Sequence, residues 1–348
     1  MRTSEQTSLP VLTSSSCKAW RACQRLYRFT YELGYRPAQL PDALTFGTLG
    51  HRGLEAWWRA AQAAPGEPDA WWAAAVAEME RERDPYQRAR ALSLMWGYHS
   101  RWQGMTWQGE PITVIGVEVE FSGPLFNPAT SAPSKTWTRA GKLDVVVEVG
   151  GRVYVVEHKT TSEEIAVGAE YWQRLTLDAQ ISTYLGGARL LGHEPAGVLY
   201  DVIRKPGILP LRATPEDKRR YRKSDGALDA RQRTEDEDGE AFYARLNATI
   251  GADLDAYFAR GLVVRTLDEE RAAAEDMWAI GVQIRDARRA EAFPRNPDAC
   301  LRYGRACDFW PVCSGVASLD DPTRFRRAVS PHEELSLCRP AMVADAAP

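Results

Sequence analysis

Residues 141–161 read GKLDVVVEVGGRVYVVEHKTT, and this stretch decides the fold. Its two halves are mostly β-branched and apolar, and Gly150 and Gly151 lie between them. Two short strands joined by a Gly-Gly turn are the simplest structure for such a pattern. The hairpin would bring Asp144, near the start of the first strand, close to Glu157 and Lys159, near the end of the second.

The polar residues at the end of this hairpin have a chemistry of their own. Glu157 and Lys159 are two positions apart, so both point to the same face of their strand, whereas His158 points to the opposite face and is not expected to be catalytic. Carboxylate oxygens are natural ligands of Mg²⁺ or Mn²⁺. A nearby lysine can hold an attacking water or stabilise negative charge at phosphorus. A surface hairpin with charged ends has the same pattern, so the rest of the chain must discriminate.

The pattern Gly-x-x-Asp at 141–144, followed by Glu-x-Lys at 157–159, resembles the PD-(D/E)XK nuclease superfamily. The resemblance implies an α/β fold with a restriction-endonuclease-like core, in which helices flank a mixed central sheet. It also implies that Asp144, Glu157 and Lys159 are catalytic residues, and that the two carboxylates bind the metal ion.

Three further motifs resemble RecB-like members of that superfamily. The segment Gly47-Thr48-Leu49-Gly50-His51 opens a predicted helix, where the resemblance makes His51 a metal ligand and the small residues allow a close backbone approach. A strand predicted over 112–121 would carry a site carboxylate, for which Glu118 fits better than Glu120, although both could face solvent. Gln180 and Tyr184 share one face of a helix predicted over 170–191. In RecB-like nucleases such a pair contacts DNA and orients the active site.

The cysteines form an uneven pattern. Cys300, Cys307 and Cys313 form a compact trio, and Cys23 lies near the other end of the chain. No Cys-x₂-Cys pair of a zinc ribbon is present. The arrangement resembles the iron–sulfur subgroup of these nucleases, which includes AddB-type subunits, CRISPR-associated exonucleases and phage relatives, and implies a [4Fe-4S] cluster that staples helical N- and C-terminal parts together. This trio is wider than the AddB-type spacing, so Zn²⁺ and free buried thiols remain alternatives. Cys17 and Cys338 match no part of the pattern.

Composition limits the function. The 348 residues carry a net charge of −3, so a nucleic-acid partner needs local basic clusters, such as 218–223 and the arginines between Arg285 and Arg305. Arg204 and Lys205, at the end of a strand predicted over 197–203, could contact phosphate. No segment suits a membrane span or a signal peptide, which predicts a cytoplasmic protein. The expected organisation is a flexible N-terminus 1–13, a single nuclease domain 14–315 with core 110–206, helical insertions 60–107 and 214–292 and a cysteine-bearing segment 296–315, and a tail 316–348.

Taken together, these motifs predict a metal-dependent DNA nuclease, most simply an exonuclease acting on single-stranded DNA ends in replication, recombination or repair. The metal would be Mg²⁺ or Mn²⁺, held by His51, Glu118, Asp144 and Glu157. The sequence contains no Walker A motif, so a helicase or recombinase partner would have to supply ATP-driven unwinding. Two alternatives are a non-catalytic iron–sulfur or zinc DNA-binding accessory protein and a dimeric endonuclease.

Overall fold

The computed structural model describes residues 9–39, 42–302, 305–333 and 335, with the backbone alone at 42–45 and 302. Its strands are β1 (Val11–Leu12), β2 (Tyr35–Pro37), β3 (Thr106–Trp107), β4 (Glu110–Phe126), β5 (Pro133–Val149), β6 (Arg152–Thr161), β7 (Pro195–Arg204), β8 (Phe258–Val263), β9 (Leu301–Arg302), β10 (Arg305–Ala306) and β11 (Phe325–Arg327). Its α-helices are α1 (Ser14–Ala22), α2 (Gln24–Tyr27), α3 (Asp42–Ala63), α4 (Pro68–Met79), α5 (Pro85–Trp102), α6 (Glu170–Gln173), α7 (Ala179–Leu190), α8 (Gly239–Ala252), α9 (Leu267–Ala290) and α10 (Trp310–Cys313). Among the described helices, none is long and apolar enough to cross a membrane.

The central sheet has the strand order β3-β4-β5-β6-β7-β8, and β1 adds to β5 in parallel. The pair β6–β7 is parallel, and the other pairs along this order are antiparallel. The predicted hairpin is confirmed as β5 and β6, and both turn residues, Gly150 and Gly151, have positive φ. Two consecutive left-handed residues match the twist of a hairpin, and glycine adopts them without strain.

Helices cover both faces of the sheet and bury its apolar residues. On one face, β-branched residues of β5 and β6 pack against α3, α4 and α5, in a cluster that includes the fully buried Trp57 and Trp58. On the other face, Phe121, Val146 and Val155 pack against α6 and α7. The expected mixed sheet flanked by helices is therefore present, and the two layers leave the hairpin end between them.

Three predicted boundaries were wrong. The Pro, Ser, Ala and Asn residues of 122–136 predict a loop before the hairpin. The segment is instead mostly strand, because β4 runs to Phe126 and the turn beyond it is held by the side chain and backbone of Asn127. The helix expected over 170–191 breaks where Asp178 caps α7 through the backbone amide of Gln180. Within the expected helical insertion 214–292, the sequence predicts one helical stretch from about Gly239 to Arg260, but the helix stops at Ala252 and β8 follows.

The described parts of both end segments pair with the body. Val11 and Leu12, inside the segment expected to be flexible, form β1 beside Thr138 and Arg139 of β5. Strand β11, inside the expected tail, pairs with β2 in antiparallel fashion. Cys338 lies outside the described residues.

Candidate active site

The predicted catalytic residues meet at the end of the β5–β6 hairpin that faces α7. Lys159 Nζ donates a hydrogen bond to Glu157 Oε1 and another, of 3.0 Å, to Gln180 Oε1. Gln180 Nε2 in turn donates to the hydroxyl of Tyr184, one helical turn further along α7. Strand and helix residues therefore form one continuous chain of contacts, in which Gln180 fixes the position of the lysine head.

Glu157 is the most buried carboxylate of this group, with 2% of its surface exposed. Desolvation, together with the nearby charge of Asp144, raises the pKa of Glu157 to about 7, although Lys159 opposes the shift. Its Oε2 atom is buried and accepts no hydrogen bond from the described residues. A buried carboxylate oxygen without a partner is costly, so this atom is suited to receive a cation.

Asp144 is held in place by His158, the residue between Glu157 and Lys159. Its Oδ2 accepts a hydrogen bond of 2.9 Å from the backbone amide of His158 and lies 3.5 Å from Nδ1 of the same residue. Burial opposes ionisation of Asp144, but the hydrogen bonds and charge of His158 outweigh it and hold the pKa of this carboxyl well below its usual range. Burial lowers the pKa of His51, and the Asp144 carboxylate opposes that shift, which places His51 within the field of the site.

Glu118 lies beside these groups in an unusual backbone conformation. Its φ is 53°, a left-handed value that a non-glycine residue adopts at some cost, and its carboxylate forms an ion pair with Lys142. Desolvation raises the pKa of Glu118, with a further contribution from Asp144. The strained turn of β4 therefore directs this carboxylate towards the other acidic groups, and Lys142 neutralises it.

His158 points away from Lys159, as predicted, but it belongs to a second polar group. The register of the sheet places His158 beside Asp201 and Asp201 beside Arg260 on three neighbouring strands. Arg260 Nη2 donates to Asp201 Oδ2 at 2.9 Å, and the hydroxyl of Tyr98 donates to the same oxygen at 2.6 Å. His158 Nε2 lies 3.7 Å from that oxygen. This row, called the buried polar row below, backs the strand that carries Glu157 and Lys159.

Sequence reasoning missed three members of the buried polar row: Tyr98, Asp201 and Arg260. A signal existed for one of them, since Asp201 interrupts the otherwise apolar run from Val198 to Ile203. A single carboxylate inside a buried strand requires a partner.

The glycines of the Gly-x-x-Asp motif and of the segment 47–51 differ in how tightly they are packed. A Cβ atom on Gly141 would lie 2.6 Å from the ring of Phe121, so the first position of Gly-x-x-Asp must be small for that ring to pack. A Cβ atom on Gly47 or Gly50 would meet Thr160 at 3.9 Å, an ordinary contact. The two glycines therefore allow an approach to Thr160 that a larger residue such as alanine would also allow.

The four cysteines of the expected cluster lie in one region. The Sγ atom of Cys23 accepts a hydrogen bond of 3.4 Å from the backbone of Asn296, and the thiol of Cys300 donates to the carbonyl of the same residue at 3.7 Å. Burial raises the pKa of Cys307 and Cys313, and the charges of neighbouring cysteine thiols raise it further. All four are free thiols, whereas burial raises the pKa of Cys17 to about 11 in a separate apolar cluster.

Neither predicted metal centre is preassembled. Among the side chains that the structure describes, no group of three or more His, Cys, Asp or Glu is arranged to hold a metal ion. At the hairpin end the reason is visible, because Lys159 and Lys142 already pair with Glu157 and Glu118.

A cleft of about 580 Å³ opens next to Lys159, between α1, α6, α7 and α9. Lys18, Arg21 and Arg174 line it together with Gln180. Arg204 and Lys205, the predicted phosphate contacts, lie elsewhere at the end of β7. There Arg204 is beside Thr161, the last residue of β6, and Lys205 Nζ lies 5.4 Å from the centre of the Phe46 ring. Burial lowers the pKa of Lys205.

The family model of the PD-(D/E)XK nuclease superfamily matches residues 11–314, and the chain belongs to this superfamily. Members of the superfamily generally use divalent metal ions. A solved structure titled "Crystal structure of SSO0001" is 12% identical in sequence, with a TM-score of 0.30, covering 81% of this chain and 79% of that chain. Comparison with curated proteins gave no significant match.

Proposed function

We propose that this protein is a Mg²⁺- or Mn²⁺-dependent deoxyribonuclease, acting in the cytoplasm as an exonuclease on single-stranded DNA ends. The observation that carries the proposal is the chain Glu157–Lys159–Gln180–Tyr184 beside Asp144, at the end of the hairpin. Asp144 belongs to β5, whereas Glu157 and Lys159 belong to β6, and the three approach each other only because the hairpin has this register.

The donors around Asp144 fit a hard divalent cation. Asp144 supplies a carboxylate whose pKa is well below its usual range, and Glu157 supplies an oxygen without a partner among the described residues. His51 and Glu118 would complete the set. A bound divalent ion would lower the pKa of a water and polarise the scissile phosphate.

The remaining residues position the substrate and the charge. Lys159, held by Gln180, would orient the attacking water and offset negative charge at phosphorus. Tyr184 would fix Gln180 through their hydrogen bond, and Arg204 and Lys205 would contact the strand beyond the end of β6. A helicase or recombinase partner would deliver single-stranded ends.

We further propose that Cys23, Cys300, Cys307 and Cys313 bind a [4Fe-4S] cluster, with Zn²⁺ as the alternative. Four thiols, each partly exposed, converge from two segments that are far apart in sequence, and thiolates suit either centre. The role of the cluster would be structural, since the thiols belong to a region separate from the hairpin end.

The test is cleavage of an end-labelled single-stranded oligonucleotide by anaerobically purified protein with Mn²⁺ or Mg²⁺. Lys159→Ala should lower kcat by about 100- to 1,000-fold, the usual effect of losing a group that stabilises the transition state. Lys135→Ala, at an exposed position of β5, is the matched control and should leave kcat unchanged. A circular substrate run in parallel separates exonuclease from endonuclease action.

The outcomes discriminate between the candidate functions. Cleavage by the wild type at a rate that Lys159→Ala retains would overturn the site assignment. Binding without cleavage by a folded wild type would favour the accessory-protein alternative. Iron and acid-labile sulfide in equal amounts in the same preparation would support the cluster, whereas zinc without sulfide would replace it.

A further inference from the structure

A second cavity, of about 330 Å³, lies on the far side of α7 from Tyr184, and no residue in it has been assigned a role so far. It shares Thr183, Ala273 and Met277 with the cleft beside Lys159, so the two lie next to each other along α7 and α9. We call the second cavity the distal pocket. A DNA strand that passes Lys159 and continues along α7 would therefore reach the distal pocket next.

The distal pocket contains one cation, Arg139, that has no counter-ion in the part of the chain that the structure describes. Arg139 lines the pocket, and among the described residues neither a carboxylate nor a hydrogen-bond acceptor pairs with its guanidinium group. Its Nε atom is buried and unsatisfied. Burial lowers the pKa of Arg139, and the positive charge of Arg189 lowers it further. An unpaired and partly buried guanidinium next to a second arginine is unfavourable unless an anion binds there.

The neighbouring charges leave Arg139 available. Arg189 is engaged by Glu270, which accepts hydrogen bonds from both terminal nitrogens of the guanidinium group, at 3.0 Å for Nη2. The one carboxylate in the pocket lining is thus already neutralised. The close approach of Arg139 to α7 also depends on Gly186, because a Cβ atom there would lie 2.7 Å from Arg139 Nη1. The local sequence thus accommodates the arginine head without providing it with an acid.

The rest of the lining is apolar and partly exposed. Phe126 and Leu190 have 44% and 37% of their surface exposed, and both line the pocket with Leu125 and Met277. An exposed aromatic ring beside an unpaired arginine suits one nucleotide unit, with the base on the ring and the phosphate on the guanidinium.

We propose that the distal pocket is a nucleotide subsite, in which Arg139 binds one phosphodiester of the DNA strand and Phe126 stacks on its base. The subsite deepens the proposed nuclease function and rests on it. Arg139 would be a substrate-binding residue remote from the cleaved bond, so its contribution would be to affinity and not to the chemical step.

The test is the binding of a fluorescent 20-nucleotide oligo(dT) to the full-length protein in metal-free buffer, where cleavage is prevented, followed by cleavage kinetics with Mn²⁺. Arg139→Ala should weaken binding about tenfold, the scale of one charge-assisted contact. It should also reduce the slope of log affinity against log salt by about 0.7, the value for one phosphate contact to a single strand. In cleavage, KM should rise and kcat should stay unchanged.

Three variants separate this role from general effects. Arg152→Ala, exposed at the turn end of β6, removes the same charge elsewhere and should leave both affinity and slope near the wild-type values. Gly186→Ala should displace the guanidinium group of Arg139 without removing its charge. Phe126→Ala should weaken binding without changing the slope of log affinity against log salt. Thermal unfolding of each variant checks that the fold persists.

The result that would overturn the subsite is a wild type that binds and cleaves DNA while Arg139→Ala behaves like Arg152→Ala. A folded wild type that neither binds nor cleaves DNA would instead overturn the proposed nuclease function itself. A fall in kcat with unchanged KM in Arg139→Ala would also contradict the subsite, because it would place the arginine in the chemical step.

Discussion

The two faces of β6 carry polar groups of opposite design, although the residues alternate along one strand. On the face towards α7, Glu157 and Lys159 contact residues with partial access to the cleft, and one oxygen of Glu157 has no partner among the described residues. On the face towards α3 and α5, His158 joins Asp201 and Arg260 in a row closed to solvent. The side chains on the Glu157 face can therefore exchange their hydrogen-bond partners for a ligand, whereas those on the His158 face keep their partners within the protein.

The difference shows how the same residue types serve two purposes. Arg260 is stacked 4.0 Å over Trp102, and the ring compensates in part for guanidinium nitrogens that have no hydrogen bond among the described residues. Lys159, in contrast, is one-third exposed at its side chain. We infer that the buried polar row holds β6, β7 and β8 in register behind the face of Glu157 and Lys159, which we call the catalytic face because the proposed function places catalysis there.

The largest effect is expected from breaking the buried polar row. Arg260→Met would leave the fully buried Asp201 carboxylate without its counter-ion and should lower the free energy of unfolding by about 3–5 kcal/mol. Arg101→Met is a matched control, because Arg101 also stacks on Trp102 but pairs with an exposed carboxylate, that of Asp255. It should cost less than about 1 kcal/mol in denaturant unfolding.

A double substitution sharpens this test. Asp201→Asn combined with Arg260→Met removes both charges and should recover part of the stability lost by Arg260→Met alone. If Arg260→Met proved no more destabilising than Arg101→Met, the structural role of the row would be wrong.

The burial of Glu157 on the catalytic face should make the stability of the protein depend on pH. In the chelator-treated protein, Glu157 has a pKa of about 7 when folded and an ordinary value of 4.5 otherwise. Between these values the folded state keeps a proton that the unfolded state has lost, so this group's contribution to stability falls as the pH rises. The free energy of unfolding of the wild type, relative to Glu157→Gln, should fall by up to about 3 kcal/mol across this window.

Equilibrium denaturation at several pH values measures that difference, and Glu148→Gln, at an exposed position of β5, serves as the control. A difference between wild type and Glu157→Gln that does not change with pH would mean that Glu157 experiences no unusual burial.

The smallest effect is expected at His158, which contacts Asp144 and also belongs to the buried polar row. His158→Asn keeps the backbone amide that binds Asp144 but removes the imidazole ring, which lies 3.5 Å from the same carboxylate. We expect kcat to fall about tenfold, as is usual when a group that orients a ligand is lost. Single-turnover cleavage would measure it. An unchanged kcat would show that the backbone amide alone positions Asp144.

The sequence predicted the catalytic face far better than the opposite one, for physical reasons. Two β-branched, apolar runs and the Gly-Gly turn between them define the hairpin locally, so the approach of Asp144, Glu157 and Lys159 could be derived from one short stretch. The buried polar row requires β8, which followed a helical pattern and was mistaken for more helix. A buried Arg260 also contradicts the usual exposure of arginine, so only its partners across the sheet explain it.

Helix α7 illustrates the same limit. Gln180 and Tyr184 were placed on one helical face by their spacing alone, and the structure has them in contact. The break before α7 was missed because an aspartate in the sequence does not by itself indicate a helix start. Asp178 caps α7 only because the 3₁₀ turn from Arg174 to Leu177 ends directly before it.

The joining of the cysteine-bearing segments has a consequence for synthesis of the protein. Asn296 donates a hydrogen bond of 2.9 Å to the carbonyl of Ala22, the residue before Cys23, across a separation of 274 positions. At about 5–20 residues per second, the ribosome needs roughly 14–55 seconds to make that interval. During this time Cys23 lacks the segment that carries Cys300, Cys307 and Cys313, so this side of the molecule cannot close until that segment has been made.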